Sequence, residues 1–366
     1  MALSTIQNNS FADTAVHGRR NLIINGAMQV WQRGTIITGK TSGNNFIADR
    51  HYLSLGSAGT WTIEQSTDAP VGFKYSLKYT CTSSVTLSGG NYAVKQYNPE
   101  GQDMKHLEFG TSNAKTLTIS FWVKSSLSGD FGFAFRNNAG NKCIVKSYTI
   151  SSANTWEYKT ININPATDGT WPDDNGQFGF LNFDLGVGPT YSTTSSNSYT
   201  TANKFGLTGG VKIAETTNAT WQITGIQLEV GEQATPFEHR SFGDELARCK
   251  RYFERFERQR PGAGSAGTTS LWAGPARSGA SNVQGPMHYV EKRNNPTISV
   301  SSAAHLNTIY PISPFNAALS AFGIDGNAGT QSAYINATGS GSPGSDCASF
   351  VYIGDAAGYL DIDAEL

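Results

Sequence analysis

The chain has 366 residues, and its 27 Lys and Arg against 28 Asp and Glu leave a net charge of −1. That balance supplies no basic field for a phosphate backbone, so nucleic acid is excluded as an expected partner. Only 15% of residues are charged while Gly, Ser, Thr and Asn abound, which excludes helical bundles and predicts an all-β protein of about two domains.

The opening MALSTIQNNSFADTAVHGRR lacks the apolar centre of a signal peptide. No later stretch approaches the roughly 18 apolar residues of a membrane span, so neither secretion nor membrane insertion is expected. Residues 1–19 read as a polar N-terminal arm. Next, Gly34–Thr41, GTIITGKT, matches the phosphate-loop pattern G-x-x-x-x-G-K-[ST]. A phosphate loop needs a helix directly after its lysine, whose free N–H groups hold the anion. Here Lys40-Thr41 runs into Ser42-Gly43-Asn44-Asn45, and the motif's interior, Thr35-Ile36-Ile37-Thr38, is entirely β-branched. The match is therefore false and no nucleotide is expected. GKTSGNN reads instead as a turn leading into FIADRHYL.

Period-2 alternation then dominates. FKYSLKYTC puts Phe73, Tyr75, Leu77, Tyr79 and Cys81 on one face; LTISFWVK does so with Leu117, Ile119, Phe121 and Val123; FGFAF does so with Phe131, Phe133 and Phe135. The last two are expected to be neighbouring strands joined by SSLSGD. From about 164 to 208 the apolar pattern thins into Gly, Ser, Thr and Asn stretches that read as surface loops, able to carry a binding surface. In TWQITGIQLEV the apolar parity changes across Gly225, which predicts a bulge.

One helix is expected over 242–259, N-capped by Ser241, with Leu246, Cys249, Phe253 and Phe256 as an apolar seam suited to self-association. RPGAGSAGTTS (260–270) reads as a linker. MHYVEKR, TISVSS, QSAYINA, CASFVYIG and YLDIDAEL then suggest strands of a small C-terminal β-domain over 260–366.

No HExxH, GxSxG or assignable triad is present, and no catalytic residue is named. Asp173 and Asp174 in WPDDNG read as a turn rather than an acid pair. The four cysteines lie more than 60 residues apart and read as reduced, buried thiols. An indole or phenol on a polar strand face or loop offers a flat surface for a sugar ring. Trp122, between Ser120 and Lys124, is such a candidate, as are Trp171, Tyr191 and Tyr199.

Four stretches in order, RRNLIINGAMQVWQRGT (19–35), ADRHYL (48–53), LTISFWVKSS (117–126) and ITGIQLEVGEQATPFEHRSFGDELARCKRYF (223–253), resemble phage virion proteins of the tail-fibre and head-fibre kind. Where that family more usually carries a tryptophan after ADR, this chain has His51. The resemblance implies a carbohydrate-binding-module-like jelly-roll β-sandwich over 20–241, its first strand in the opening motif and its last in IQLEVG. The helix and a smaller C-terminal β-domain would follow. It further implies a non-enzymatic role in the virion, assembled in the host cytoplasm, with host attachment possible through surface glycans. A homotrimer and docking of the arm onto other virion proteins are implied as well. Some such modules hold a structural calcium; here Glu229, with carbonyls near Asn25, would be its ligands. A capsid-surface decoration protein remains open beside a tail fibre, as do a pure glycan-recognition module and a polysaccharide-degrading enzyme.

Overall fold

The computed structural model describes residues 20–257, 269–275, 282–309, 316–324, 326, 328–339, 348–353, 355 and 357–366. The expected arm (1–19), most of the linker and Cys347 lie outside them. The chain divides into two compact units, 1–246 with Leu366, and 247–365.

The first unit is built from β1 (Ile36–Phe46), β2 (His51–Ser66), β3 (Ser76–Ser83), β4 (Tyr92–Tyr97), β5 (Leu117–Ser125) and β6 (Gly129–Asn137). It continues with β7 (Cys143–Ile150), β8 (Glu157–Ile163), β9 (Gly179–Val187), the short β10 (Ser192–Thr193) and β11 (Gly206–Leu207), and β12 (Thr220–Val230). Their hydrogen-bonded order is β7-β6-β9-β4-β2-β3-β12-β5-β8, with β1 on β2. The long β2 pairs with β4 through His51–Gly56 and with β3 through Thr60–Ser66. Between them the backbone turns at Ser57, φ 53°, so β2 belongs to two layers and the sheet folds onto itself as a jelly-roll sandwich. Phe183 of one layer meets Phe121 and Trp221 of the other at ring distances of 5.0 and 5.6 Å. The alternating residues Leu77, Tyr79, Cys81, Leu117, Ile119, Phe121 and Val123 are all fully buried in this core.

Alternation located these strands but not all their partners. β5 pairs with β8 and β12, whereas β6 pairs with β7 and β9. The two are therefore not neighbours but lie in opposite layers, because an inward apolar face is satisfied equally by pairing beside a strand or facing it across the core. The loop-rich stretch holds the fully paired strand β9, the opening 20–35 is turns rather than a strand, and GKTSGNN lies within β1 rather than forming a turn. The bulge is present: the β12–β5 register shifts between Thr224 and Gln227. Gly225 there has φ +62°, and a Cβ would stand 2.6 Å from the Phe73 ring, so both backbone and space require glycine.

The second unit contains β13 (Phe253–Glu257), β14 (Thr269–Pro275), β15 (Asn282–His288), β16 (Thr297–Val300) and β17 (Leu306–Ile309). β18 (Asn316–Ile324), β19 (Ser332–Gly339), β20 (Ala348–Ile353) and β21 (Tyr359–Asp363) complete it. They form a three-stranded sheet, β13-β21-β16, and a six-stranded one, β14-β20-β17-β18-β19-β15. A separate core gathers Trp272, Val283, Ile335, Val351, Leu360 and Ile362.

The capped helix is present but short, Phe242–Lys250, with Ser241 Oγ accepting from the Asp244 N–H at 3.2 Å. The seam is corrected: Leu246 and Cys249 are helical, while Phe253 and Phe256 sit in β13 opposite Asp363 and Leu360. Cys249 and Phe253 are buried inside the chain. β13 is held by Arg255, which donates to both oxygens of Asp361 at 2.7 Å and lies 3.8 Å over the Tyr359 ring. Pairing with β21 thus overrides the helical spacing of these aromatics. Cys81, Cys143 and Cys249 are buried, and among the described residues they form no disulfide. Among the described residues no helix is long and apolar enough to cross a membrane.

Candidate functional site

The residues that carry the sequence motifs converge on a buried polar hub. Asn25 donates to the carbonyls of Val30 and Asp49 and accepts from the N–H groups of Gln29 and Val30, at 2.8–3.0 Å. Asn21 donates to Ile226 O and accepts from Ile23 N and Leu228 N. Arg240 reaches Ile23 O at 3.0 Å and also Asn21 O, and the Glu245 carboxylate takes the Asn25 N–H. His51 is fully buried, with Nε2 3.2 Å from the carbonyls of Ile24 and Asn25 and its ring 5.2 Å from Tyr97. The hub ties the opening turns, the start of β2 and the end of β12 together.

A different arrangement occupies the outer face of β4. Ala93 and Tyr97 point into the core, whereas Tyr92, Val94 and Gln96 point away from it. Directly opposite Gln96 on β9 is Asn182, which in turn opposes Ala134 on β6; cross-strand partners share a face. Asn182 is 0% exposed, and neither of its amide atoms has a hydrogen-bond partner. The segment after β9 folds back over this face. Tyr191 stacks on Phe205 at 4.8 Å, and Tyr92 meets Phe205 edge-on at 5.7 Å. A Cβ on Gly56, opposite Tyr92, would lie 2.5 Å from that ring, so glycine lets the phenol lie across β2. Arg136 on β6 lies 3.8 Å over Phe180 and 5.0 Å from the Phe205 ring, and donates to Asn203 Oδ1 at 3.1 Å. Ser54, Tyr92, Gln96, Arg136, Tyr191 and Phe205 are among the residues that line a cavity of about 160 Å³ here, and Asn182 lies outside that lining.

The fold-back is anchored by Asp184, fully buried on β9. It accepts from Leu207 N at 2.8 Å, from Gly186 N at 2.9 Å and from the Lys212 ammonium. Burial raises its carboxyl pKa above the ordinary value, and Lys212 opposes that rise. A flat aromatic wall, buried amides and a fixed guanidinium suit a hydroxyl-rich ring: apolar C–H groups stack, and hydroxyls exchange hydrogen bonds. The volume is below the ~300–1,000 Å³ of drug-sized pockets, so one ring of a longer ligand fits it.

The four aromatic candidates do not form one site. Tyr191 lines the pocket. Trp122 lies in the other layer, half-buried beside Tyr158 at 5.4 Å. Trp171 is half-buried, with Phe135, Phe178 and Phe109 packed around its indole at 5.5, 4.9 and 5.1 Å. Tyr199 packs edge-on against Trp171 and donates to Asn164 O at 2.9 Å, so it too belongs to the packing. Asp173 pairs with Lys105 at 2.9 Å, and Asp174 Oδ1 closes a turn on Gly176 N. No helix follows Lys40; β1 runs through it. Both oxygens of Glu229 accept hydrogen bonds, from Gln227, Thr235 N and Thr235 Oγ1. Among the described residues no group of three or more His, Cys, Asp or Glu could hold a metal ion. The pocket residues Ser54, Tyr92, Gln96, Arg136 and Phe205 escaped the sequence reading; the alternation in YAVKQY was the one available signal.

No protein-family model matches the chain, and no curated protein does. Among solved structures, the enzymatically active domain of tailspike protein 4 of bacteriophage CBA120 is similar over 58% of this chain, at 12% identity and a TM-score of 0.30; this chain spans 21% of that one. The family 11 carbohydrate-binding module of a Clostridium thermocellum cellulosomal cellulase is similar over 54% of this chain and 100% of its own, at 15% identity and a TM-score of 0.27. The TmCBM61 module, solved with β-1,4-galactotriose, covers 58% of this chain and 99% of its own, at 8% identity and a TM-score of 0.29.

Proposed function

We propose that the first unit recognises glycan through the Tyr92–Tyr191 pocket, as part of a non-enzymatic phage virion fibre that attaches to the host surface. The observation that carries the reading is the pocket's lining, in which the stacked Tyr191–Phe205 pair and Tyr92 stand beside the buried Gln96 amide and the Arg136 guanidinium. The fibre part of the reading rests on the four ordered motifs. A tail fibre is preferred to a capsid decoration protein, and a trimer follows from the fibre reading alone now that the helical seam is internal.

A glycan array, followed by titration of the best ligand, tests the pocket. Wild type should bind, and Tyr92→Ala and Arg136→Ala should each weaken binding about tenfold or more while the pocket's fold persists. A blank array, or variants that bind as wild type, would sink the reading. Release of reducing ends from host polysaccharide would instead favour an enzyme.

A further inference from the structure

β7 and β8 are the terminal strands of the two layers, and a second cavity of about 370 Å³ opens where they meet the 195–197 loop. Lys146, Ser147, Thr160, Asn162, Ser195 and Asn197 line it. Lys146 is 8% exposed, and its ammonium donates to the amide oxygens of Asn164, at 2.9 Å, and Asn197. Among the described residues no carboxylate pairs with it, and burial alone lowers its pKa. Asn197 Oδ1 faces the ammonium, so its amide N–H groups are presented elsewhere. Three hydroxyls add further donors. The cavity therefore holds a positive charge without its counter-charge, surrounded by donors.

We propose that this cavity binds the carboxylate of an acidic sugar residue, such as a hexuronate, as a saccharide site separate from the Tyr92–Tyr191 pocket. A carboxylate supplies the missing charge and up to four acceptor positions, whereas a neutral sugar brings donors to a site already rich in them. The charge preference stands on Lys146; that the carboxylate is carried by a saccharide rests on the glycan reading above.

Amide NMR titration of the whole chain with D-glucuronate, D-glucose, acetate and inorganic phosphate tests it. Glucuronate should shift the amides of Ser147, Thr160 and Asn197, and glucose should not. Lys146→Met should weaken glucuronate at least tenfold. Asn197→Asp, at an exposed position, should do the same by giving the ammonium its own carboxylate, and it carries the test if Lys146→Met does not fold. Tyr92→Ala should leave glucuronate binding intact, which separates this site from the first pocket. The proposal is overturned if glucose binds as well as glucuronate, if acetate or phosphate matches it, if the shifts cluster at Tyr92 instead, or if both variants bind as wild type.

Discussion

Two buried polar clusters of the first unit use the same residue types in opposite ways. In the hub, Asn25 makes four hydrogen bonds and Asn21 three. On the outer face of β4 and β9, Asn182 is as deeply buried and makes none with its side chain. A saturated amide fixes backbone; an orphaned one keeps its bonding capacity for something else. The lysines repeat the contrast, since Lys212 neutralises Asp184 while Lys146 meets only amide oxygens. The ordered sequence motifs supply the hub and its saturated amides, and most of the candidate pocket lies outside them.

The sharpest break of this comparison is a pair of alanines. Asn25→Ala strands the buried Val30 N–H and Asp49 carbonyl, at about 1–3 kcal/mol each, and the half-buried Gln29 N–H. The Val30 carbonyl keeps the Asp49 N–H, and Ala is left at φ 59°. A loss on the order of 5 kcal/mol is expected, a fall in Tm of roughly 10 °C or more by calorimetry. Asn182→Ala removes a side chain that makes no hydrogen bond, so Tm should hold or rise. Next, Lys212→Met leaves the Asp184 carboxylate buried without its cation, with an expected cost of about 3–5 kcal/mol. Hydrogen exchange at the Leu207 amide should accelerate and the pocket should lose its ligand.

Lys95 sharpens the comparison from inside the core. Its ammonium is fully buried, has no hydrogen-bond partner and lies 5.1 Å over the Phe183 ring; burial holds its pKa well below the ordinary 10.5. The unfolded chain takes up this proton first as pH falls below 10.5, so the group weakens the fold at neutral pH. Lys95→Met should therefore stabilise by about 1–3 kcal/mol near pH 7, a gain that vanishes above the unfolded value. The smallest effect is expected at His51 in the hub. Burial first, then Lys95 and Arg50, hold its imidazole well below 6.5. The unfolded state protonates before the folded one, so stability should fall as pH drops through 6.5, by up to about 1.4 kcal/mol per pH unit. His51→Gln should flatten that part of the acid limb in pH-dependent denaturation.

Much of the fold was legible because strand alternation reports which face is apolar. Leu77, Tyr79 and Cys81, or Phe131, Phe133 and Phe135, could be read directly as core. The bulge at Gly225 was legible because parity changes across it. The pairing of β5 and β6 was not, since alternation carries no information about which strand lies beside which. β9 was missed because its polar outward residues Asn182 and Asp184, in a glycine-rich setting, look like loop. The pocket was missed for a related reason: Ser54, Tyr92, Gln96 and Arg136 come from three strands and converge only after the sheet is assembled.

By itself, then, the sequence determined an all-β chain, the inward faces of its strands, the capped start of the one long helix and the falsity of the phosphate-loop match, because each follows from periodicity or from neighbours along the chain. The tertiary structure decided what depends on partners distant in sequence. β21 drew Phe253 and Phe256 out of a helix into a strand, Trp171 packed half-buried against the core, and the fold-back after β9 placed Tyr191 beside Tyr92 and Phe205. A side chain's availability is set by what the fold leaves unpaired, and that is a property of contacts rather than of order.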